Sequence, residues 1–211
     1  MSGGPEPLPP EEFRDLLRLE LPLWNQTASE ETLDRLSSFL AELDRWRRRI
    51  NLTGRLSPGT LVAHALESTL GEHFLPRGAR VVDIGTGGGF PGVPLALWRP
   101  DLDMTWLEPR EKRAAFLRHV GRTVPVGNAR VLEARREDLP ARAFEYATSR
   151  ALKVDSAFGN APFLQPGGAL LLWTTSMDIL ATELRPAGFR LEATVPIPEA
   201  RERAIGVFRK H

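Results

Sequence analysis

The feature that most limits the possible folds is a glycine-rich segment at residues 83–94, between a predicted strand and a predicted helix. The strand covers residues 80–84 and the helix residues 95–98. Glycines at such a turn let the backbone bend sharply and approach a ligand closely. Pro91 and Pro94 suit a loop and a helix start, because proline inside a helix removes a hydrogen bond. The segment therefore predicts the first strand-to-helix unit of an open α/β sheet.

Strand-like and helix-like segments alternate through the rest of the chain. The apolar patterns predict strands at residues 80–84, 104–108, 129–132, 144–148, 169–173, 189–195 and 205–208. Helical patterns fall between them at residues 95–98, 112–120, 154–163 and 179–184. This alternation predicts an α/β fold with a doubly wound, seven-stranded, mostly parallel sheet. The last two strands have no clear helix between them, so we expect them to pair as a hairpin-like unit.

The chain before the sheet is predicted to be helical. Residues 1–10 are rich in proline, glycine and acid, and we expect a disordered leader; residues 11–75 form a helical portion and residues 76–211 the main domain. Helices are predicted at residues 11–20, after an N-terminal cap at Ser29, and at residues 60–73. The second helix is marked by apolar residues at helical spacing, namely Leu33, Leu36, Leu40, Leu43 and Ile50.

The amino-acid composition excludes several kinds of functional site. The 211 residues include no cysteine, which excludes disulfides, thiolate metal sites and cysteine nucleophiles. The net charge of +1 does not by itself indicate nucleic-acid binding. No apolar run approaches the length of a membrane span, and the N-terminus lacks the pattern of a signal peptide. We therefore expect a cytoplasmic monomer without a metal ion or a membrane contact.

Two cofactors compete for the glycine-rich segment. Gly87, Gly89 and Gly92 satisfy the dinucleotide fingerprint, although so many glycines satisfy several patterns by chance. Asp83, Gly85 and Gly87 instead match the acid-glycine signature of S-adenosylmethionine enzymes. A carboxylate at the end of the strand would repel a pyrophosphate but favour an ammonium and a sulfonium. Electrostatics thus favours S-adenosylmethionine, and a turn that only reverses the chain remains the alternative.

Acidic residues after the second and third strands are further candidates for the cofactor site. Glu108 ends the second strand, where a carboxylate can accept hydrogen bonds from both ribose hydroxyls. Arg136 and Glu137 follow the third strand, where an adenine would lie in such a fold. A solvated acid and a solvated charged loop are the plainer alternatives.

These motifs, taken in order, resemble the bacterial 16S ribosomal RNA guanine-N7 methyltransferases, also called glucose-inhibited division protein B. The resemblance extends from about Trp46 to Lys210 and is most specific in the run DIGTGGGFPGVP at residues 83–94. Supporting segments occur in the same order, namely INLT at 50–53, HALES at 64–68, KRAAFL at 112–117, TSRA at 148–151 and Glu202-Arg203.

The resemblance implies a Rossmann-like methyltransferase that acts on 16S ribosomal RNA or on the small ribosomal subunit. By resemblance, cofactor contacts lie at Gly85, Phe90, Arg136, Glu137 and Arg150. Activity or RNA handling is implied for Asn51, His64, Arg135, Arg150 and Arg203. The plainer alternatives are a helix histidine with satisfied hydrogen bonds for His64, a helix cap or terminator for Asn51 and a surface strand residue for Arg203. The chain departs from the family pattern at Glu67, which is usually aspartate, at Lys153, and at Trp173-Thr174-Thr175-Ser176, where Leu-Lys-Gly is common.

The expected mechanism is direct in-line transfer of a methyl group, governed by positioning of the two reactants. Guanine N7 already carries an exposed lone pair, so the attack needs no general base. The basic run from Arg45 to Arg49, with Trp46 inside it, is a candidate RNA contact or a solvated helix face. Rival functions are a methyltransferase for another RNA, a small molecule or a protein, a nicotinamide-dependent oxidoreductase, and an RNA-binding assembly factor.

Overall fold

The computed structural model describes residues 6–150, 161–174, 188–198, 200 and 202–211. Its α-helices are α1 (Pro10–Glu20), α2 (Glu30–Trp46), α3 (Pro58–Thr69), α4 (Gly92–Trp98) and α5 (Glu111–Thr123). Short 3-10 turns lie at Leu21–Trp24, Glu72–Phe74 and Arg136–Asp138. The strands are β1 (Arg80–Ile84), β2 (Asp103–Leu107), β3 (Ala129–Leu132), β4 (Phe144–Arg150), β5 (Leu164–Thr174), β6 (Phe189–Pro196) and β7 (Ala204–Lys210).

The strands form one seven-stranded sheet in the order β3-β2-β1-β4-β5-β7-β6. Strands β1 to β5 pair in parallel, and β7 lies antiparallel between β5 and β6. The predicted doubly wound, mostly parallel sheet is therefore confirmed, as is the pairing of the last two strands. Strand order reverses between β1 and β4, and ligands of open α/β sheets bind outside the carboxyl ends of the strands at such a reversal.

The sheet is covered on both faces. Val81 and Val82 of β1 are both fully buried, but they belong to two separate hydrophobic clusters, because neighbouring side chains of a strand point to opposite faces. The cluster around Val81 also contains buried residues of α1, α2 and α3. The helical portion therefore shares a continuous core with one face of the sheet, and the division into two parts near residue 75 stays a prediction.

Capping explains where the N-terminal helices begin. The Ser29 hydroxyl accepts a hydrogen bond from the Thr32 amide at 3.2 Å, which confirms the predicted cap of α2. Ser57 caps α3 in the same way at 3.1 Å from the Thr60 amide, so α3 begins slightly earlier than predicted. None of the helices in the described part of the chain is long and apolar enough to cross a membrane.

Four helix predictions need correction or lie outside the described residues. Helix α2 ends at Trp46, so the assignment of Ile50 to its apolar repeat was wrong. Helix α3 ends at Thr69, and a separate 3-10 turn follows Gly71, whose added Cβ would lie 3.0 Å from Leu171 of β5. The predicted helix at 154–163 was wrong for residues 161–163, which precede β5 as a turn. The described residues do not include 154–160 of this predicted helix. They also do not include the helix predicted at 179–184, or Lys153, Thr175 and Ser176.

Candidate active site

A cleft opens where the carboxyl ends of β1, β2 and β3 meet. It encloses about 450 Å³ and is lined by Ile84, Gly85, Leu107, Pro109, Arg110, Arg135, Arg136 and Glu137. The structure thus brings four of the predicted site residues to one place, namely Gly85, Arg135, Arg136 and Glu137. Apolar walls with a few polar groups at the rim are typical of small-molecule sites.

The turn after β1 requires glycine at several positions for backbone reasons. Gly85, Gly87 and Gly89 have φ values of 71°, 56° and 104°, a region that other residues rarely adopt. The amides of Gly85 and Thr86 both donate to the carbonyl of Leu107, at 2.8 and 3.1 Å. The turn is therefore tied to the end of β2, and its backbone lies directly beside the cleft.

Three glycines of the same segment are explained by close packing. A Cβ on Gly88 would lie 2.7 Å from Cγ2 of Thr53, and one on Gly89 would lie 2.8 Å from Cζ of Phe39. A Cβ on Gly92 would lie 2.5 Å from the Asp83 carboxylate. Gly89 and Gly92 matched the dinucleotide fingerprint, but contacts within the protein account for both of them. Sequence reasoning missed these contacts, because the partners of Gly88 and Gly89 lie far away along the chain and Gly92 meets Asp83 and Trp106 on neighbouring strands.

Asp83 lies on the inner side of the turn. Its side chain is fully buried and accepts hydrogen bonds from the Thr148 hydroxyl at 2.8 Å and the Gly92 amide at 3.1 Å. Burial raises the pKa of Asp83 to about 7, although these hydrogen bonds act in the opposite direction. The carboxylate therefore joins β1 to β4 and to the start of α4, and its direct contact with a cofactor stays a prediction.

Glu108 holds the other side of the turn. The carboxylate is buried, and it accepts the Gly87 amide at 3.0 Å through Oε2 and the Arg110 amide at 3.0 Å through Oε1. Each carboxylate oxygen can accept more than one hydrogen bond. Glu108 can thus still accept the predicted hydrogen bond from a ribose hydroxyl, while it also fixes the shape of the turn.

The 3-10 turn after β3 forms the opposite wall of the cleft. Arg136 donates to the Glu137 carboxylate at 2.9 Å, and the Arg135 amide donates to Asp138 at 3.0 Å. A backbone amide and the Arg136 guanidinium hold the pKa of Glu137 below its ordinary value. An ionised carboxylate therefore faces the cleft beside two arginines.

Other predicted residues meet at Phe90, the last residue before Pro91. The Phe90 ring packs edge-on against His64 with centroids 5.7 Å apart, and against Phe39 at 5.6 Å. The guanidinium of Arg150 lies 5.9 Å from the centre of the same ring. Phe90 thus connects the glycine-rich turn to helix α3 and to the end of β4.

Glu67 is the carboxylate that unites this group. It is only 1% exposed, and it accepts hydrogen bonds from Arg150 at 3.1 Å and from Arg203. Its backbone carbonyl accepts the Trp173 indole N–H at 3.0 Å. Burial raises the pKa of Glu67 against the opposing effect of the two guanidiniums, and burial lowers the pKa of Arg150. We call His64, Glu67, Phe90, Arg150 and Arg203 the Glu67 cluster.

The sequence marked Glu67 as a departure from the family pattern and gave it no role. The available signal was its spacing, because residues three apart on a helix share a face and Glu67 follows His64 by one turn. Burial, together with Arg150 and Arg203, lowers the pKa of His64 to about 3. His64 is therefore neutral near pH 7 and carries no imidazolium proton.

Asn51 lies away from the Glu67 cluster, on the outer side of the turn. It is exposed, and its carbonyl accepts a hydrogen bond from Arg113 at 3.3 Å. The two residues border a hollow of about 340 Å³ that is lined by Ile50, Asn51, Arg110, Glu111, Lys112 and Arg113. Arg110 also lines the cleft, so the two spaces adjoin.

The basic run at Arg45–Arg49 is largely occupied by contacts within the protein. Arg47 and Arg48 donate to the fully buried Asp44 at 2.8 and 2.9 Å, and Arg45 pairs with Glu42. Trp46 packs against Phe116 and His119, with ring centroids 5.7 and 4.9 Å apart. The geometry therefore favours a structural role for Arg47 and Arg48. Over the described ranges, no group of three or more histidine and acidic side chains is arranged to hold a metal ion.

Comparison with known proteins identifies the family. A family model described as rRNA small subunit methyltransferase G (GidB) matches residues 32–183. A protein of Xanthomonas campestris named ribosomal RNA small subunit methyltransferase G is 38% identical over 169 residues, which cover 77% of this chain and 78% of that protein. Proteins of the same name from Xanthomonas axonopodis and Stenotrophomonas maltophilia are 40% and 36% identical, with the same coverage of both chains.

Solved structures share the fold at low sequence identity. A SAM-dependent methyltransferase from Aquifex aeolicus superposes with a TM-score of 0.52 and 17% identity, covering 68% of this chain and 87% of that one. A mutant of MtNAS in complex with S-adenosylmethionine gives a TM-score of 0.58 and 17% identity, covering 95% and 77%. Fold, site geometry and sequence agree, and the chain belongs to the rRNA small subunit methyltransferase G family.

Proposed function

We propose that the protein transfers a methyl group from S-adenosylmethionine to N7 of a guanine in 16S ribosomal RNA. The observation that carries this proposal is the family match over residues 32–183, which includes both the cleft and most of the Glu67 cluster. The alternative is a methyltransferase of the same fold that acts on another RNA, a small molecule or a protein.

The described residues fit S-adenosylmethionine. The Glu108 carboxylate lies against the turn, with its Oε2 atom 3.0 Å from the Gly87 nitrogen, at the end of the second strand where an acid can bind a ribose. In the proposed complex, Gly85 and Gly87 border the methionine end, Glu108 accepts the ribose hydroxyls, and Arg136 and Glu137 border the adenine. When bound, the cofactor supplies an electrophilic methyl group on a sulfonium.

The protein's part in the reaction is then to orient the two reactants. Guanine N7 attacks through its own lone pair, and the described side chains near the turn are consistent with a reaction that needs no base. His64 carries no proton to donate as an imidazolium near pH 7, and both oxygens of Glu67 are engaged by arginines. In the proposed complex, Phe90 and Arg150, whose guanidinium lies 5.9 Å from the ring centre, face the splayed-out base.

A cationic rim beside the cleft suits an RNA strand. Arg110 and Arg135 both line the cleft, and Lys112 is exposed at the hollow that adjoins it. Single-stranded or splayed-out RNA is bound mainly through phosphates and stacked bases. We include in the proposal that the partner is 16S RNA or the small ribosomal subunit, and that a monomeric protein acts on it in the cytoplasm.

Transfer of a labelled methyl group tests the proposal. Purified protein and labelled S-adenosylmethionine are incubated with 16S RNA and with small subunits from a strain that lacks the gene, and the product nucleoside is identified. We expect labelled 7-methylguanosine, and we expect Arg135→Ala and Arg150→Ala to reduce it while the fold survives. Cofactor binding without any RNA product would favour a different acceptor, and a product other than 7-methylguanosine would refute the assignment to N7.

A further inference from the structure

The Glu67 cluster contains a charge arrangement that the proposed function leaves unexplained. Two guanidiniums, from Arg150 and Arg203, share one buried carboxylate, and each arginine binds a different oxygen of Glu67. Arg150 is 13% exposed at its side chain and Arg203 is 28% exposed. Burying a charge is costly unless it is paired and hydrogen-bonded, so an arrangement of this kind persists only where the fold holds it.

Glu67 itself is held firmly by the fold. It lies in α3 between the buried residues Leu66 and Ser68, and its carbonyl is bound by the indole of Trp173 on β5. The carboxylate therefore presents its two oxygens from a fixed point. Arg150 comes from the end of β4 and Arg203 from the residue before β7, so Glu67 joins three separate elements.

Both arginines retain a donor that has no partner. In the described part of the chain, Nη1 of Arg150 and Nε of Arg203 are buried without a hydrogen bond. With Glu67 ionised, His64 neutral and both arginines protonated, the cluster keeps one net positive charge. An unsatisfied donor next to an excess cation favours an anionic or carbonyl acceptor.

We propose that Glu67 is a positioning residue for methyl transfer: its carboxylate fixes Arg150 and Arg203 side by side near Phe90, so that their partly exposed guanidiniums can meet an anionic or carbonyl acceptor on the RNA. The inference rests on the proposed function. Glu67 acts through the arginines and is not a base. If Glu67 lost its charge, the two guanidiniums would repel each other and would no longer be held in a fixed orientation.

Steady-state kinetics of Glu67→Gln and Glu67→Asp test this role. Glutamine keeps the shape but removes the charge, whereas aspartate keeps the charge on a shorter side chain. Because misplacement of a reacting group by 1 Å can cost about 100-fold, we expect Glu67→Gln to lower kcat 10- to 100-fold, by that estimate. We expect Glu67→Asp to retain at least a third of the parent kcat, and the Kd for S-adenosylmethionine to stay within about threefold for both, since Glu67 does not line the cleft.

Glu72→Gln is the matched control, because Glu72 also accepts a hydrogen bond from an arginine, Arg99, at 2.8 Å, but outside the cluster. It should leave kcat unchanged. A folded Glu67→Gln protein with kcat within threefold of the parent would overturn the inference. If Glu67→Gln does not fold, Arg203→Lys takes its place, because a lysine keeps the positive charge but not the planar contact with the carboxylate. We expect Arg203→Lys to lower kcat at least tenfold. A kcat like that of the parent protein would overturn the inference. A parent protein that methylates no RNA refutes the proposed function instead.

Discussion

Replacing Gly92 with alanine probes the link between Asp83 and the glycine-rich turn. The added Cβ would lie 2.5 Å from Oδ2 and 2.9 Å from Cβ of Asp83, and 2.9 Å from Cδ1 of Trp106. Rotation of the carboxylate relieves the first contact only, because the other two atoms belong to buried, closely packed groups. The shift would also strain the bond from the Gly92 amide to Asp83.

The expected loss of stability in Gly92→Ala follows from these contacts. Overpacking costs about 1–3 kcal/mol, and weakening a hydrogen bond to a charged acceptor costs about 1.5–3 kcal/mol. Alanine regains about 0.5–1 kcal/mol through its helix propensity. The net expectation is a loss of about 2–5 kcal/mol in the free energy of unfolding, or about 5–15 °C in Tm for a domain of this size.

Urea and thermal unfolding of Gly92→Ala and Gly121→Ala measure the effect. Gly121 is the matched control, because it also lies in a helix but an added Cβ there meets nothing within 4 Å. Gly121→Ala should stabilise the protein by about 0.5–1 kcal/mol. Unfolding free energies of the two variants that agree within about 1 kcal/mol would refute the packing argument for Gly92.

Four further predictions concern charged or titratable groups. The pKa of Asp83 is raised from 3.8 to about 7. As the pH rises, the Asp83 carboxyl group therefore loses its proton in the unfolded chain before it does so in the folded protein. Between pH 4 and 7, this difference should lower the free energy of unfolding by about 4 kcal/mol. Urea unfolding from pH 4 to 8 should show a smaller decline for Asp83→Asn than for the parent, and parallel curves would contradict this. With a pKa of about 3, His64 should show no titration between pH 5 and 8 by side-chain NMR, in contrast to the midpoint near 6.5 of an ordinary histidine. Lys112→Ala should weaken binding of 16S RNA about fivefold at 0.1 M salt and reduce the dependence of log K on log salt concentration by about 0.7. Arg122→Ala, at the other end of α5, should change neither quantity. Equal losses in the two variants would contradict an RNA path along the Lys112 side of the protein. Arg47→Ala should lower Tm without weakening RNA binding, and the opposite pattern would restore the basic run as an RNA contact.

The sequence was sufficient for the sheet and for the place of the cleft. Its strands and the glycine-rich segment are local patterns, because alternating apolar side chains and positive φ angles are properties of neighbouring residues. The same reasoning failed at Ile50 and at the end of α3. Helix ends depend on capping and on contacts such as that between Gly71 and Leu171, which lie far apart in the chain.

Local patterns along the chain were enough to predict the mostly parallel sheet, the turn after β1 and the family resemblance that the comparisons confirmed. The long-range partners of charged groups became visible only in the folded protein. Arg150 and Arg203 meet at Glu67, 83 and 136 residues away along the chain, whereas Arg47 and Arg48 pair with Asp44, which is three and four residues away. Such pairs form because a buried charge needs a partner, and folding decides which distant side chain is within reach.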